Sequence, residues 1–287
     1  MSWNRSRVRS SLAVMFAASL AAVATFWVST EAHAITRPAP GSMILFGSSS
    51  MNGVFGHLIA EDFAEVGFDV TRKGISSAGL ARPDFKDIPQ ILSGFPIRRT
   101  ATSVLLYIGG NDGQSIWLRP EERTAQDVKP WVFWKDERWP SIYESRMTKL
   151  IKSLCDRGAQ HVFVLPPTDV ELPRLQHRLE RVRTLQQHAV KATQCGRFIN
   201  TAGDHGRFQL EGQPLRSPDG VHMNRAGATI VWTRIRDRVF SLLGMDPPVQ
   251  SCDRCVTRAE RRALRDSRRE HAETKNAGRS RNITAQR

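Results

Sequence analysis

From residue 42 onward, short apolar runs alternate with stretches whose apolar positions recur every three or four residues. Met43-Ile44-Leu45-Phe46 is a compact apolar run that stops at Gly47, the pattern of a strand buried on both faces. Between Val54 and Val66, the residues Leu58, Ile59, Phe63 and Val66 fall at helical spacing. Phe68-Asp69-Val70 starts a second strand that leads into a Gly/Ser-rich turn from Gly74 to Gly79, and Asp87 to Leu92 reads as a short helical piece. Val104 to Ile108 is a continuous apolar strand broken at Gly109-Gly110. A helix over Ser141 to Arg157 carries Tyr143, Met147, Leu150, Ile151 and Leu154 on one stripe. Val162 to Leu165 is the next strand, stopped by Pro166-Pro167. Arg174 to Ala192 is a long basic helix after Pro173, Arg197 to Asn200 a last short strand, and Ala226 to Leu243 a closing helix.

This alternation predicts βαβ units and an α/β fold: a flavodoxin-like three-layer sandwich around a central parallel sheet of about five strands. Ligands on such sheets bind beyond the carboxyl ends of the strands. The segment from residue 114 to 140 interrupts the alternation and brings Trp117, Trp131, Trp134 and Trp139 in among many charges. Rings beside a site can stack on sugar faces or close over an acyl pocket, which makes Trp117, Trp131 and Trp134 candidate substrate contacts. They can equally pin an irregular loop to the domain, and both readings stand.

The N-terminus changes the picture. Arg5, Arg7 and Arg9 precede an apolar run from Leu12 to Val28, and Ala32-His33-Ala34 follows as a small-residue cleavage site. Residues 1–34 therefore read as an export signal cut after Ala34, placing the mature chain in the periplasm or outside the cell with no stable membrane span. An uncleaved anchor is the alternative. Residues 35–245 are long enough for one domain with a sizeable core. The chain of 287 residues carries a formal net charge of +14, with much of the excess between Arg254 and Arg287, in a basic tail (residues 246–287) that holds Arg261-Arg262 and Arg268-Arg269. The tail has too little apolar content to pack, and reads as disordered or helical. An exported chain meets anionic lipid head groups and acidic wall polymers rather than nucleic acid, so the tail's expected contact is an anionic surface. Cys252 and Cys255 form a C-x-x-C pair in this tail, outside any strand–helix context for a redox motif, while Cys155 and Cys195 fall at predicted helix ends. The cysteine and histidine spacings do not suit zinc, and neither a metal nor a cofactor is expected.

Three short blocks carry chemistry: Gly47-Ser48-Ser49, Gly109-Gly110-Asn111-Asp112 and Asp219-Gly220-Val221-His222. The first two follow strands directly. Together they hold a hydroxyl nucleophile, a polar amide, and a base with a carboxylate three residues before it. Acyl transfer through a serine needs those parts, because a hydroxyl attacks only when an imidazole takes its proton and fixed donors hold the oxyanion. Alone, Ser49 could cap a helix, Asn111-Asp112 could form a turn, and His222 could be a packed histidine. His57, within the first helix, and His205, in a Gly-Asp-His-Gly loop, are rival bases.

With these blocks in this order, the chain resembles the SGNH hydrolases, also called the GDSL-like esterase family, over most of residues 42–243, and an exported bacterial branch in particular through Arg82-Pro83-Asp84 and the Trp-rich insert. The resemblance implies Ser49 as nucleophile, His222 as base and Asp219 as its partner. It implies an oxyanion hole from the Ser49 and Gly79 N–H groups and the Asn111 amide, with Gly79 preferred over Gly74 in the second block. Ser48 stands where the family carries an aspartate; that aspartate is outside the triad. The implied activity is removal of an acyl group, acetyl foremost, from a surface or periplasmic carbohydrate through an acyl-serine. Alternatives are an O-acyltransferase using the same residues and a non-catalytic glycan-binding protein of the same fold.

Overall fold

The computed structural model describes residues 41–203, 207–210 and 212–248. The expected signal, His205, Cys252, Cys255 and the tail from residue 249 lie outside the described residues. Along the chain, β1 (Ser42–Gly47) is followed by α1 (Ser49–Asn52), α2 (Val54–Glu65) and β2 (Asp69–Gly74), then α3 (Ile88–Ser93) and β3 (Thr102–Tyr107). The insert contributes β4 (Ile116–Trp117), a 3-10 turn at Pro120–Glu122 and β5 (Trp131–Val132). The alternation resumes with α4 (Trp139–Asp156), β6 (Val162–Leu165), α5 (Pro173–Lys191) and β7 (Gly196–Phe198). A small ribbon of β8 (Gln209–Leu210) and β9 (Gln213–Pro214) precedes α6 (Arg225–Leu242).

The central sheet has five parallel strands in the order β2-β1-β3-β6-β7, the flavodoxin-like order expected from the alternation. Because side chains alternate across a strand, β1 sends Ile44 and Phe46 to one face and Met43 and Leu45 to the other. The first pair packs with Val104, Leu106, Val162 and Val164 against residues of α3, α4 and α5. The second packs with Leu105, Phe163 and Leu165 against α2 and α6, where Phe55, Ile59, Phe63, Val239 and Phe240 are buried. Each such side chain contributes about 1.5–3 kcal/mol when fully buried, which is why the interior strands read as unbroken apolar runs. Strand β2 is different: at the sheet edge, its sequence DVTRKG alternates exposed and half-buried positions.

Register decides where a ligand can sit. Gly47 pairs with both Gly74 and Tyr107, and Tyr107 pairs with Leu165, so four strands end level. The loops that follow them, carrying Ser49, Gly79, Asn111 and Pro167-Thr168, therefore emerge at one edge. Two features were not anticipated. Cys155, at the end of α4, is disulfide-bonded to Cys195, just before β7. The tryptophan segment is not loose: β4 and β5 pair antiparallel, with Trp117 opposite Trp131.

Candidate active site

Ser49 opens α1 directly after Ser48, whose extended backbone (φ −81°, ψ −158°) joins the end of β1 to the helix in this turn. The Ser48 amide donates to Tyr107 O at 3.1 Å, fastening this turn to β3. Ser48 is buried. Arg72 on β2 holds the far end of α1, its Nη1 donating to Met51 O at 2.8 Å and Asn52 O at 3.0 Å. Ser49 is thus presented on a short helix gripped at both ends.

The Asp219–His222 segment reaches the same edge as a tight turn. Asp219 Oδ1 accepts the backbone amides of Val221 at 2.9 Å and His222 at 3.0 Å, and Gly220 takes the left-handed conformation (φ +69°) that the turn requires. Two residues on, Asn224 caps α6 by accepting from Gly227 N at 2.9 Å, so the helix anchors the loop. This leaves His222 Nδ1 2.5 Å from Asp219 Oδ2 and His222 Nε2 2.6 Å from Ser49 Oγ. Burial alone would raise the Asp219 pKa, but the His222 side chain and the two amides outweigh it and hold the carboxyl below its usual value. The carboxylate is therefore ionised wherever the imidazole has work to do. The Oγ–Nε2 and Nδ1–Oδ2 contacts are those through which an imidazole withdraws a hydroxyl proton.

Asn111 follows β3 and lines the same cleft as Ser49 and His222. Its Nδ2 donates one hydrogen to Ala78 O at 3.0 Å, which leaves the second for a ligand. Gly79 lies beside it: a Cβ on Gly79 would stand 3.4 Å from Asn111 Cβ and 2.2 Å from Asp112 Oδ1. Gly74, the other glycine of that block, packs against Asn52 instead. The cleft is small, about 50 Å³, and is walled by Ser48, Tyr107, Pro167, Thr168, Val170 and Leu179 among others. At about 10–15 Å³ per water it holds a few waters, or a group of similar size. A wider groove of about 620 Å³ lies between α5 and α6, and neither Ser49, Asn111 nor His222 lines it.

The other expectations fare differently. His57 is an exposed residue of α2, with Glu61 at 3.9 Å as its ionic neighbour. Trp117, Trp131 and Trp134 are not among the cleft-lining residues. Trp117 and Trp131 meet edge to face at 4.9 Å, with the Arg82 guanidinium 4.8 Å above Trp131. Trp134 packs on Trp139 at 4.3 Å and under Arg178 and Arg181. Through these contacts the rings tie the insert to residues of the surrounding segments. Residues that gained no role from the sequence are Tyr143 and Arg146 on α4 and the carboxylate of Asp112. Tyr143 read as a member of the apolar stripe. Arg146, three positions later on the same helix face, was the available signal, since a cation there needs buried partners.

None of the curated proteins matches the chain by sequence. Among solved structures, a carbohydrate esterase family 3 protein from Talaromyces cellulolyticus aligns with a TM-score of 0.48 and 15% identity, over 71% of this chain and 98% of that one. An acetylxylan esterase from Geobacillus stearothermophilus aligns at 0.47 and 16%, over 70% and 94%. An α/β hydrolase from the metagenome of Lake Arreo aligns at 0.46 and 18%, over 68% and 93%. The family described as "Protein of unknown function (DUF459)" matches residues 42–238, the whole sheet and the segments that carry Ser49, Asn111, Asp219 and His222. The chain belongs to this family.

Proposed function

We propose that the protein is an exported serine esterase that removes a short acyl group, acetyl foremost, from a carbohydrate. The observation that carries this reading is the unbroken contact from Asp219 through His222 to Ser49, opening on a cleft that Asn111 shares. Ser49 Oγ attacks the acyl carbonyl carbon as its proton passes to His222 Nε2. The carbonyl oxygen takes the negative charge, facing the Asn111 amide and the N–H groups of Ser49 and Gly79. The tetrahedral centre collapses, the bond from acyl carbon to sugar oxygen breaks, and Nε2 returns the proton to that oxygen. Water then attacks the acyl-serine by the same route and releases the free acid.

Three features support the finer parts of the reading. The cleft of about 50 Å³ suits a small acyl group such as acetyl. The side chains of His222 and Asp219 remain 45% and 48% exposed, so water reaches the acyl-serine, which favours hydrolysis over transfer to a sugar acceptor. The Cys155–Cys195 disulfide suits an oxidising compartment and so supports export, alongside the N-terminal signal.

The test is hydrolysis of a small acetyl ester by the purified protein, with Ser49→Ala beside it. Loss of activity in the variant and labelling of Ser49 by a fluorophosphonate are expected. Equal rates in both proteins overturn the assignment. Added sugar acceptors that divert most of the acyl group from water would replace esterase by transferase.

A further inference from the structure

Asp112 is a fully buried carboxylate immediately after Asn111, and its side-chain hydrogen bonds run away from Ser49, His222 and Asp219. Its Oδ1 accepts the Ala81 amide at 2.8 Å, and its Oδ2 accepts the Tyr143 hydroxyl at 3.0 Å. Oδ1 also stands against Gly79, occupying the place a side chain there would need. On the other side of the same turn, Arg146 Nη1 donates to Leu80 O at 2.6 Å. Arg146 is itself buried, paired with Glu122 and donating to Trp117 O at 2.6 Å. Tyr143 is held in turn by Gln186 Nε2 at 3.1 Å, and the same Nε2 donates to Ile108 O at 3.0 Å, just ahead of the Asn111 loop. The Leu80 peptide is therefore gripped by an anion at one end and a cation at the other.

A buried carboxylate is costly, so a fold keeps one where its hydrogen bonds hold something in place. Here the thing held is the spacing between two loops, each of which carries one proposed oxyanion donor. We propose that Asp112 is a positioning residue: its ionised carboxylate clamps the Gly79–Ala81 turn against the Asn111 loop, so that both donors face one point. This rests on the serine-esterase reading of the site.

The groups that face Asp112 are Tyr143 and Arg146 from α4 and the Leu80 and Ala81 amides, with Glu122 competing for Arg146 from the insert. Burial, opposed by these partners, pushes the Asp112 pKa up to about 6. The clamp therefore loses its charge as pH falls through that value, and the acid limb of activity gains one proton.

The experiment compares the wild type with Asp112→Ala, Asp112→Asn and Ser49→Ala. Asp112→Ala should lower kcat by about 10²-fold, the scale of one misplaced oxyanion donor, with KM within about threefold because the cleft itself is untouched. Asp112→Asn keeps an acceptor for the Ala81 amide and should recover about tenfold of that loss, with one proton fewer in the acid limb than wild type. Hydrogen exchange at the Ala81 amide should quicken in Asp112→Ala whether or not the protein turns over. If wild type and Ser49→Ala hydrolyse the ester equally, the esterase reading fails, and the exchange result still reports on the clamp. If Asp112→Ala does not fold, Asp112→Asn decides. A folded variant with wild-type kcat, pH profile and Ala81 exchange overturns the proposal.

Discussion

The Asp112 carboxylate fills the space where a side chain on residue 79 would begin: a Cβ on Gly79 would lie 2.2 Å from Asp112 Oδ1. That distance is below any real carbon–oxygen contact, and neither partner can yield, since Gly79 is backbone and Asp112 is fully buried. Gly79→Ala should therefore open the Asn111–Gly79 pair. We expect a loss of about 10²-fold in kcat, the scale of one oxyanion donor, measured on a small acetyl ester, with the fold retained by circular dichroism.

Asp219→Asn keeps the shape of the turn and removes the charge that orients His222. The expected drop in kcat is about 10²–10⁴-fold, with little change in KM. Steady-state kinetics at neutral pH check it.

The pKa of Asp219 is lowered in the folded chain, by hydrogen bonds that outweigh its partial burial. A depressed carboxyl stabilises the fold at pH above its unfolded value near 3.8 and loses that contribution as pH falls below it. The asparagine variant should therefore show less acid sensitivity than wild type below pH 3.8 in thermal melts.

Asp112 works in the opposite sense. Its pKa is raised from 3.8 to about 6, mainly by burial, so the folded state binds its proton more tightly than the unfolded chain does. Stability from this group is fully present below pH 3.8 and lost as pH rises through about 6. At about 1.4 kcal/mol per unit, the effect is on the order of a few kcal/mol. Asp112→Asn should flatten the melting temperature against pH across that window.

The Cys155–Cys195 bond closes a loop spanning 40 positions and ties α4 to the approach of the edge strand β7. Replacing both cysteines with serine should cost about 2–4 kcal/mol, read as a lower midpoint in urea with unchanged slope. Ester hydrolysis should survive, because the bond lies away from Ser49.

Much of the fold was legible because the interior strands are buried on both faces. Met43 to Phe46, Val104 to Leu106 and Val162 to Leu165 are buried along their whole length, so burial writes them as unbroken apolar runs. The edge strand β2 was half-legible: the pattern marked its start at Phe68 to Val70, while Thr71 to Lys73, which pair with Ile44 to Phe46 of β1, are polar and carry no apolar signal. The insert was not legible. A two-residue ribbon has no period: Trp117 and Trp131 owe their places to each other and to Arg82, and Trp134 owes its place to Trp139, Arg178 and Arg181.

The sequence by itself determined the chemical parts and the order of the layers: a serine after the first strand, an asparagine after the third, and an aspartate three residues before a histidine. Residue type and hydrophobic period are local properties, and those suffice for such statements. Only the tertiary structure decided that Ser49 and His222, 173 positions apart, meet at 2.6 Å, that Cys155 pairs with Cys195, and that Asp112 presses on Gly79. Those distances follow from the level ends of four strands and from which loops pack on which, and no local pattern encodes that.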